Sequence, residues 1–491
     1  MRVAMRGAGR VILRAQSNNG KYRCMRDVRL SLAVGLGCLL TVLLTAAPQW
    51  VSAAGERSGV DEFVLDNGLK VLVKADHRAP VVTVQVWYRV GSAYEPNGLT
   101  GLSHMVEHMM FQGTETRGPN VFSHIVAQHG GRQNAFTGRD YTGYYQQLSA
   151  DHLGLAFELE ADRMRNLKLD AGEFAKERRV VEEERRGRVE DRPRSKAREQ
   201  LFATAFNTAP YRNPVVGWMD DIRNVTLADL QHWYDTWYVP NNAIVVVVGD
   251  VAADQVRLEA ERWFGALQPA PALPVLKQRR EPAQRGERRV ILRENAQLPY
   301  LLMGWKAPTH GSAVLDWEPY ALELLAGVLD GGRSTRLPRE VIRGRALAAA
   351  AGAGYDGFQR FEGLFIVHGT PSEGVDIMAL EAALREQVYA LRAAPVAAVQ
   401  LQRIKTQAEA SLLFSRDSMS AQANLLGALE ASGLGWRMLD RYLDRLHAVT
   451  AAQIQAVARR YLRDDTLTVV RVEPILDAAA MTAAARRGGH R

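Results

Sequence analysis

Gly101-Leu102-Ser103-His104-Met105-Val106-Glu107-His108-Met109-Met110-Phe111-Gln112-Gly113-Thr114 is the stretch from which the rest of the chain can be read. As a helix it places His104 and His108 on one face about one turn apart, so that two imidazoles can meet one metal ion with Glu107 beside them. Leu102, Val106, Met109 and Met110 offer an apolar face to a core, and Gly113 offers a stop. The order H-x-x-E-H suits a helix whose two His bind zinc and whose Glu is the base toward the water that the metal activates. Two His and a Glu within five residues also occur on solvated helix faces, so the remaining sequence has to decide.

Composition narrows the choice. A chain of 491 residues with 47% hydrophobic content is globular and long enough for roughly two to four domains with their own cores. The formal charge is +8, but residues 1–54 hold eight Lys/Arg against one acid, Asp27. The body is therefore nearly neutral, and nothing in it argues for a nucleic-acid partner. In the leader, Arg26 and Arg29 precede an apolar run from Leu30 to Ala47, and Val51-Ser52-Ala53-Ala54 offers small residues for cleavage after Ala53 or Ala54. Residues 1–54 thus read as an export signal, with Met25 as an alternative start, and the expected location is the periplasm. An uncleaved membrane anchor through residues 30–47 is the competing reading, since that run approaches the length of a bilayer span. Both cysteines, Cys24 and Cys38, fall in the leader, so the body forms no disulfide and suits an oxidising compartment equally well.

The body opens on a hairpin signal, Phe63-Val64-Leu65 and Leu69 to Val73 around Asp66-Asn67-Gly68. The β-branched and aromatic run Val81 to Val90 predicts a buried strand, and a loop through Pro96-Asn97-Gly98 leads to the His104 helix. After Gly130-Gly131, Asn134-Ala135-Phe136-Thr137 and Tyr141 to Tyr145 again read as strands. Helical pattern runs from about Leu153 through the charged segment Glu173 to Glu190. A run of charge is usually a solvated face, yet a two-His site needs a third protein ligand, and a carboxylate from a second helix leaves the fourth position for water. Glu177 and Glu184 are seven apart and share a helix face, whereas Glu182 and Glu183 rotate away. The spacing nominates one of the pair as ligand and the other as support.

With these residues in view, the chain resembles the zinc peptidases grouped with pitrilysin, insulin-degrading enzyme and the mitochondrial processing peptidase. The resemblance rests on His104 to His108 followed by Phe111-Gln112-Gly113-Thr114, on Asn134-Ala135-Phe136-Thr137 with Tyr144-Tyr145, and on Glu177, Val181 and Glu184. Tyr211, Gly217 and the stretch Tyr238 to Asp250 extend it through the first half. It implies that His104, His108 and Glu184 bind one zinc ion per chain. It implies further that Glu107 activates the water and that Glu177 orients or electrostatically supports the site. Asn134, Ala135 and Phe136 would then lie on an edge strand that pairs with an extended peptide backbone, with little side-chain selectivity. For Phe136, a core aromatic is the alternative.

Pro269, Pro271, Pro274 and Pro282 mark residues 268–288 as a linker. Beyond it the first half repeats: Thr226 to Leu230 recurs 224 residues later as Thr450 to Ile454, and the same offset carries Leu65 to Arg289. The expected architecture is α+β, with two homologous domains at residues 55–267 and 289–477. Each is an antiparallel sheet packed with helices, arranged as half of a clamshell around a chamber. The second copy lacks H-x-x-E-H, and the tail at 478–491 is expected to be disordered. Family members that act alone carry an Arg and, about seven residues on, a Tyr in the second half that hold substrate. Here Arg343 fits the Arg, the Tyr position falls on Ala348 to Ala350, and alanine can neither donate a hydrogen bond nor stack. The resemblance therefore implies the metal-bearing subunit of a two-chain bacterial endopeptidase, acting on peptides with a homologous partner that supplies the pair. A self-sufficient homodimer, or a weakly active or inactive binding and assembly subunit, remains as the alternative.

Overall fold

A computed structural model describes residues 59–277 and 281–475. The leader with Cys24 and Cys38, the tail at 478–491 and the middle of the linker lie outside the described residues. No helix among the described residues is long and apolar enough to cross a membrane.

The first half folds as an α+β unit around the strands β1 Asp61–Val64, β2 Lys70–Ala75, β3 Val81–Tyr88, β4 Arg132–Thr137, β5 Thr142–Ser149 and β6 Ala243–Gly249. Their order across the sheet is β1-β2-β6-β3-β5-β4. The second half builds a sheet from β7 Arg288–Glu294, β8 Tyr300–Ala307, β9 Ala348–Tyr355, β10 Gly363–Pro371 and β11 Leu467–Pro474, in the order β7-β11-β8-β10-β9. Pairing is antiparallel apart from one parallel pair in each sheet, β2 with β6 and β7 with β11. These parallel pairs arise because β6 and β11 each return to the sheet after a long helical excursion, which permits either direction. β3 and β6 are buried almost throughout, as the β-branched and aromatic run of the one and the Ile244–Val248 run of the other require of central strands.

The repeat is visible in the caps. Thr226 and Thr450 each accept a hydrogen bond from the third residue of the following helix, and Asp229 and Gln453 reach back to complete a capping box. The offset does not run the whole length, however. In the parallel pairs Lys70 faces Ile244 and Arg288 faces Thr468, so Lys70 corresponds to Arg288 and the expected match of Leu65 to Arg289 does not hold. Leu65 instead sits in the β1–β2 turn, which has no counterpart in the second sheet among the described residues.

Five helices of the first half matter for the site: α1 Leu102–Met109, α2 Val121–Gln128, α3 Leu153–Arg165, α4 Ala171–Arg185 and α5 Pro193–Ala205. The helical run expected from Leu153 to Glu190 is broken between α3 and α4. There the Asp170 carboxylate accepts from the backbone N–H of Gly172 and Glu173 and starts a new helix.

Each half lends the other a helix. Ala197, Leu201 and Ala205 of α5 pack on Leu302, Val470 and Val472 of the second sheet. In return, Met419, Ala423 and Leu426 of the helix Met419–Ala431 pack on Leu72, Trp87, Ile244 and Val246 of the first. Each Leu, Val, Ile or Met among these contributes roughly 1.5–3 kcal/mol by leaving water. Gly427 makes the second contact close: a Cβ there would lie 2.1 Å from the Trp87 indole. The Trp87 ring is held in turn by Phe136 and Tyr141, at centroid distances of 5.0 and 4.9 Å, and by a hydrogen bond from its Nε1 to Gln85.

Candidate metal centre

α1 starts where Gly101, in the left-handed region at φ 92°, turns the chain inward. Gly217 approaches it at φ 88°, and a Cβ on Gly217 would meet the Thr100 carbonyl oxygen at 2.4 Å. The first turn is capped from six residues upstream. The buried Glu95 carboxylate accepts from the backbone N–H of Gly101 at 2.7 Å and of Ser103 at 2.8 Å. Burial pushes Glu95 up to about 7 even though these two donors favour its ionised form. Leu102, Met105, Val106 and Met109 are buried against the core, which turns His104, Glu107 and His108 toward a cavity of about 610 Å³.

α4 crosses α1 and brings its carboxylates to the same cavity. Arg185, buried beside Glu184, fixes the end of α4 by a bidentate pair with Glu199 of α5, at 3.0 and 3.1 Å, and by donating to the Gly217 carbonyl at 2.8 Å. Glu184 thereby faces both histidines: its Oε1 lies 3.6 Å from His104 Nε2 and its Oε2 lies 3.3 Å from His108 Nε2. Ligands about 2.1 Å from a tetrahedral zinc stand about 3.4 Å apart, so these separations fit an ion better than they fit direct hydrogen bonds. The three ligand atoms all lie within 4.8 Å of one another. Glu177 accepts from His108 Nδ1 at 2.9 Å and from Gln112 Nε2 at 2.9 Å. A proton held on Nδ1 leaves the Nε2 lone pair free for a metal. The donor set of two imidazoles and one carboxylate fits zinc with one open position.

Burial opposes a charge on His108, but the hydrogen bond to Glu177 and the facing Glu184 carboxylate prevail and raise it to about 9. The facing imidazoles of His104 and His108 hold Glu184 well below the usual carboxylate range, against the effect of burial. Without metal, a proton therefore stands in for the cation. Stability from this pairing is complete below a pH of about 6.5 and is lost as the pH rises through about 9. Metal must displace that proton, so metal affinity is expected to rise about tenfold per pH unit up to about pH 9. Glu177→Gln removes the carboxylate that orients His108. It is expected to weaken zinc binding by about 10- to 100-fold at pH 9 and to flatten the pH dependence, as read by competition with a chelator.

Glu107 projects into the cavity between α1 and β4, where Thr137 Oγ1 donates to its Oε2 at 2.5 Å. One carboxylate oxygen is thus tethered and the other is free. Asn134, Ala135 and Phe136 line the same cavity on β4. That strand closes its sheet, paired with β5 on one side and with no strand on the other among the described residues. The Phe136 ring also packs on Trp87, as the alternative of a core aromatic expects. Arg343 is not part of this constellation. It lies in a π-helical turn, Leu337–Gly344, and donates to the Arg333 carbonyl at 2.6 Å. Ala348 to Ala350 begin β9, and Tyr355 is committed to the Pro308 carbonyl.

Sequence reading missed Gln112, Thr137 and Arg188. Gln112 and Arg188 could have been found, since they stand one helical turn beyond His108 and Glu184. Arg188 pairs with Glu184 and lines the cavity.

Comparisons with known proteins place the chain in a family. The model of the insulinase family (peptidase family M16) matches residues 70–217, and the model of the M16 inactive domain matches residues 224–408. The chain is similar to the zinc protease PqqE of Helicobacter pylori, with 31% identity over 457 residues, covering 92% of this chain and 100% of that one. It also resembles the crystal structure of a protease from Helicobacter pylori, with a TM-score of 0.81 and 29% identity over 85% of this chain and 100% of that chain. The periplasmic protease PqqL of Escherichia coli shares the fold, with a TM-score of 0.71 and 19% identity. That match covers 88% of this chain but 50% of the PqqL chain.

Proposed function

Because this chain belongs to the insulinase family of peptidases (peptidase family M16), we propose that it is a zinc-dependent endopeptidase acting on peptides or unfolded segments. The observation that carries the reading is Glu107. It is a carboxylate tethered at one oxygen by Thr137, beside three side chains whose spacing suits zinc, at the open edge of a sheet. A structural metal site has no use for such a group.

His104, His108 and Glu184 hold one zinc per chain, and Glu177 orients His108. Bound there, zinc supplies Lewis-acid polarisation of the scissile carbonyl and makes the attacking water more acidic. Glu107 takes the proton of that water on its free oxygen and returns it to the nitrogen of the leaving amine. The open edge of β4 pairs with the substrate backbone at Asn134, Ala135 and Phe136, which holds an extended chain across the ligands. The leader exports the protein to the periplasm. Residues 55–267 form the metal-bearing domain, and 289–477 form the second domain across a linker at 268–288, the two closing on a chamber with a homologous partner. A match to half of the PqqL chain supports that partner, since one chain of this size then supplies one half of the enclosure.

A binding or assembly subunit is the second reading. It is favoured by Arg343 lying outside the metal cavity and by alanines where a substrate-holding Tyr was expected. The test is zinc content and hydrolysis of an unfolded peptide, measured with and without a homologous chain that carries the Arg and Tyr. The peptidase reading expects about one zinc per chain and cleavage that rises with the partner. Zinc retained with no cleavage, even in the mixture, would leave the binding subunit as the better account.

A further inference from the structure

A second cavity, of about 440 Å³, adjoins the metal centre along one stretch of chain: Val189 lines the first and Asp191 the second. Its polar lining comes from Arg192, Arg194 and Ser195 at the start of α5, and from Asn295, Gln297 and Tyr300 where β7 passes to β8. Arg194 is held in place without being neutralised. Its guanidinium lies 4.8 Å from the Tyr300 ring centroid and donates to Thr370 Oγ1 at 3.0 Å. One turn further along α5, Arg198 rests over Phe202 at 5.4 Å. Among the described residues, Arg192, Arg194 and Arg198 have no carboxylate within ion-pair distance, whereas the neighbouring Lys196 is paired with Glu294 at 3.0 Å. The single carboxylate lining the cavity is Asp191. His368 feels the excess: burial lowers it, and Arg194 and Arg198 lower it further although Asp330 opposes them. In a body that is nearly neutral, three exposed guanidiniums without a carboxylate partner, one just before α5 and two on it, are a local feature, and the aromatic face beneath Arg194 sets its orientation before any ligand arrives.

We infer that the cavity around Arg192, Arg194 and Tyr300 is an anchoring subsite for carboxylates of the peptide, which gives the enzyme a preference for acidic segments on one side of the cleaved bond. The inference rests on the peptidase reading. Arg194 presents a planar fork suited to bidentate contact with a carboxylate, Arg198 extends the positive field along α5, and the Asn295 and Gln297 amides have no hydrogen bonds to give up. Acidic side chains and a free peptide C-terminus offer the same chemistry.

The test uses the full chain and fluorescein-labelled decapeptides of one parent sequence. They carry Asp-Asp or Ala-Ala on either side of the cleaved bond, and each has a free or amidated C-terminus. Binding is read by anisotropy with Glu107→Gln, which separates it from turnover, and kcat/KM is read with otherwise unaltered protein. Asp-Asp on one side is expected to tighten binding and raise kcat/KM about three- to tenfold over Ala-Ala, more at low salt. Arg194→Glu is expected to abolish or invert that ratio, and Arg194→Lys to keep part of it. A gain seen for the free C-terminus and not for Asp-Asp assigns the subsite to the terminal carboxylate. Equal ratios in the unaltered protein and Arg194→Glu overturn the inference even where peptides are cleaved. Arg194-dependent binding with no cleavage by any form, even after the homologous partner chain is added, overturns the peptidase reading and leaves the subsite standing.

Discussion

Glu107→Gln is expected to lose about a thousandfold or more in kcat while retaining its zinc, because a positioned general base contributes roughly 10²- to 10⁴-fold and its amide replacement cannot accept the proton. The substitution keeps the shape of the side chain. Thr137 Oγ1 can still donate to the amide oxygen, so β4 and α1 stay in register. None of the proposed ligands is touched, since His104, His108 and Glu184 are positioned by burial of α1 and by Arg185 at the end of α4. Metal analysis alongside single-turnover peptide cleavage reads the two properties separately. A variant that keeps both its metal and its rate would remove Glu107 from the mechanism and leave the tether to Thr137 without a catalytic purpose.

Gly427→Leu is expected to be the most damaging single substitution away from the metal. Even one added carbon meets the indole of Trp87 at 2.1 Å, and that ring has nowhere to go, with Phe136 and Tyr141 against it. Overpacking of a filled core usually costs about 1–3 kcal/mol, and here the strain falls on the contact by which one half completes the other. Gly427→Ala should show a smaller loss in the denaturation midpoint. Gly286→Ala, where an added Cβ meets nothing within 4 Å, should show none. The displaced Trp87 also presses on Phe136, so the surviving folded fraction is expected to bind peptide more weakly at the β4 edge. An unchanged midpoint for Gly427→Leu would mean that the helix Met419–Ala431 does not pack on the first sheet as described.

What could be read without coordinates follows the range of the forces concerned. His104, Glu107 and His108 stand out because a helix places neighbours one turn apart, and Glu177 with Glu184 stands out for the same reason across two turns. The capping boxes at Thr226 and Thr450 are local as well, and they show the repeat as clearly in sequence as in space. Glu95 and Thr137 were passed over because their partners are set by how a loop and a strand dock on α1. Nothing in a single Glu or Thr announces that. The end of α4 depends on Arg185 meeting Glu199 and Gly217, a contact among three segments. Arg343 fits its half of an Arg and Tyr pattern by spacing alone, and sequence does not tell that its side chain donates to the Arg333 carbonyl.

The exchange of helices between the halves sets a schedule for biosynthesis. When β6 has left the ribosome, the first sheet has all its strands, yet the helix that covers its second face begins only at Met419. At about 5–20 residues per second, that helix follows on the order of 10–40 seconds later. Throughout that interval Leu72, Trp87, Ile244 and Val246 form an uncovered apolar sheet face. A nascent chain in this condition is a client for any holding chaperone and is prone to stick to its own copies. Truncation anywhere before Met419 makes the interval permanent.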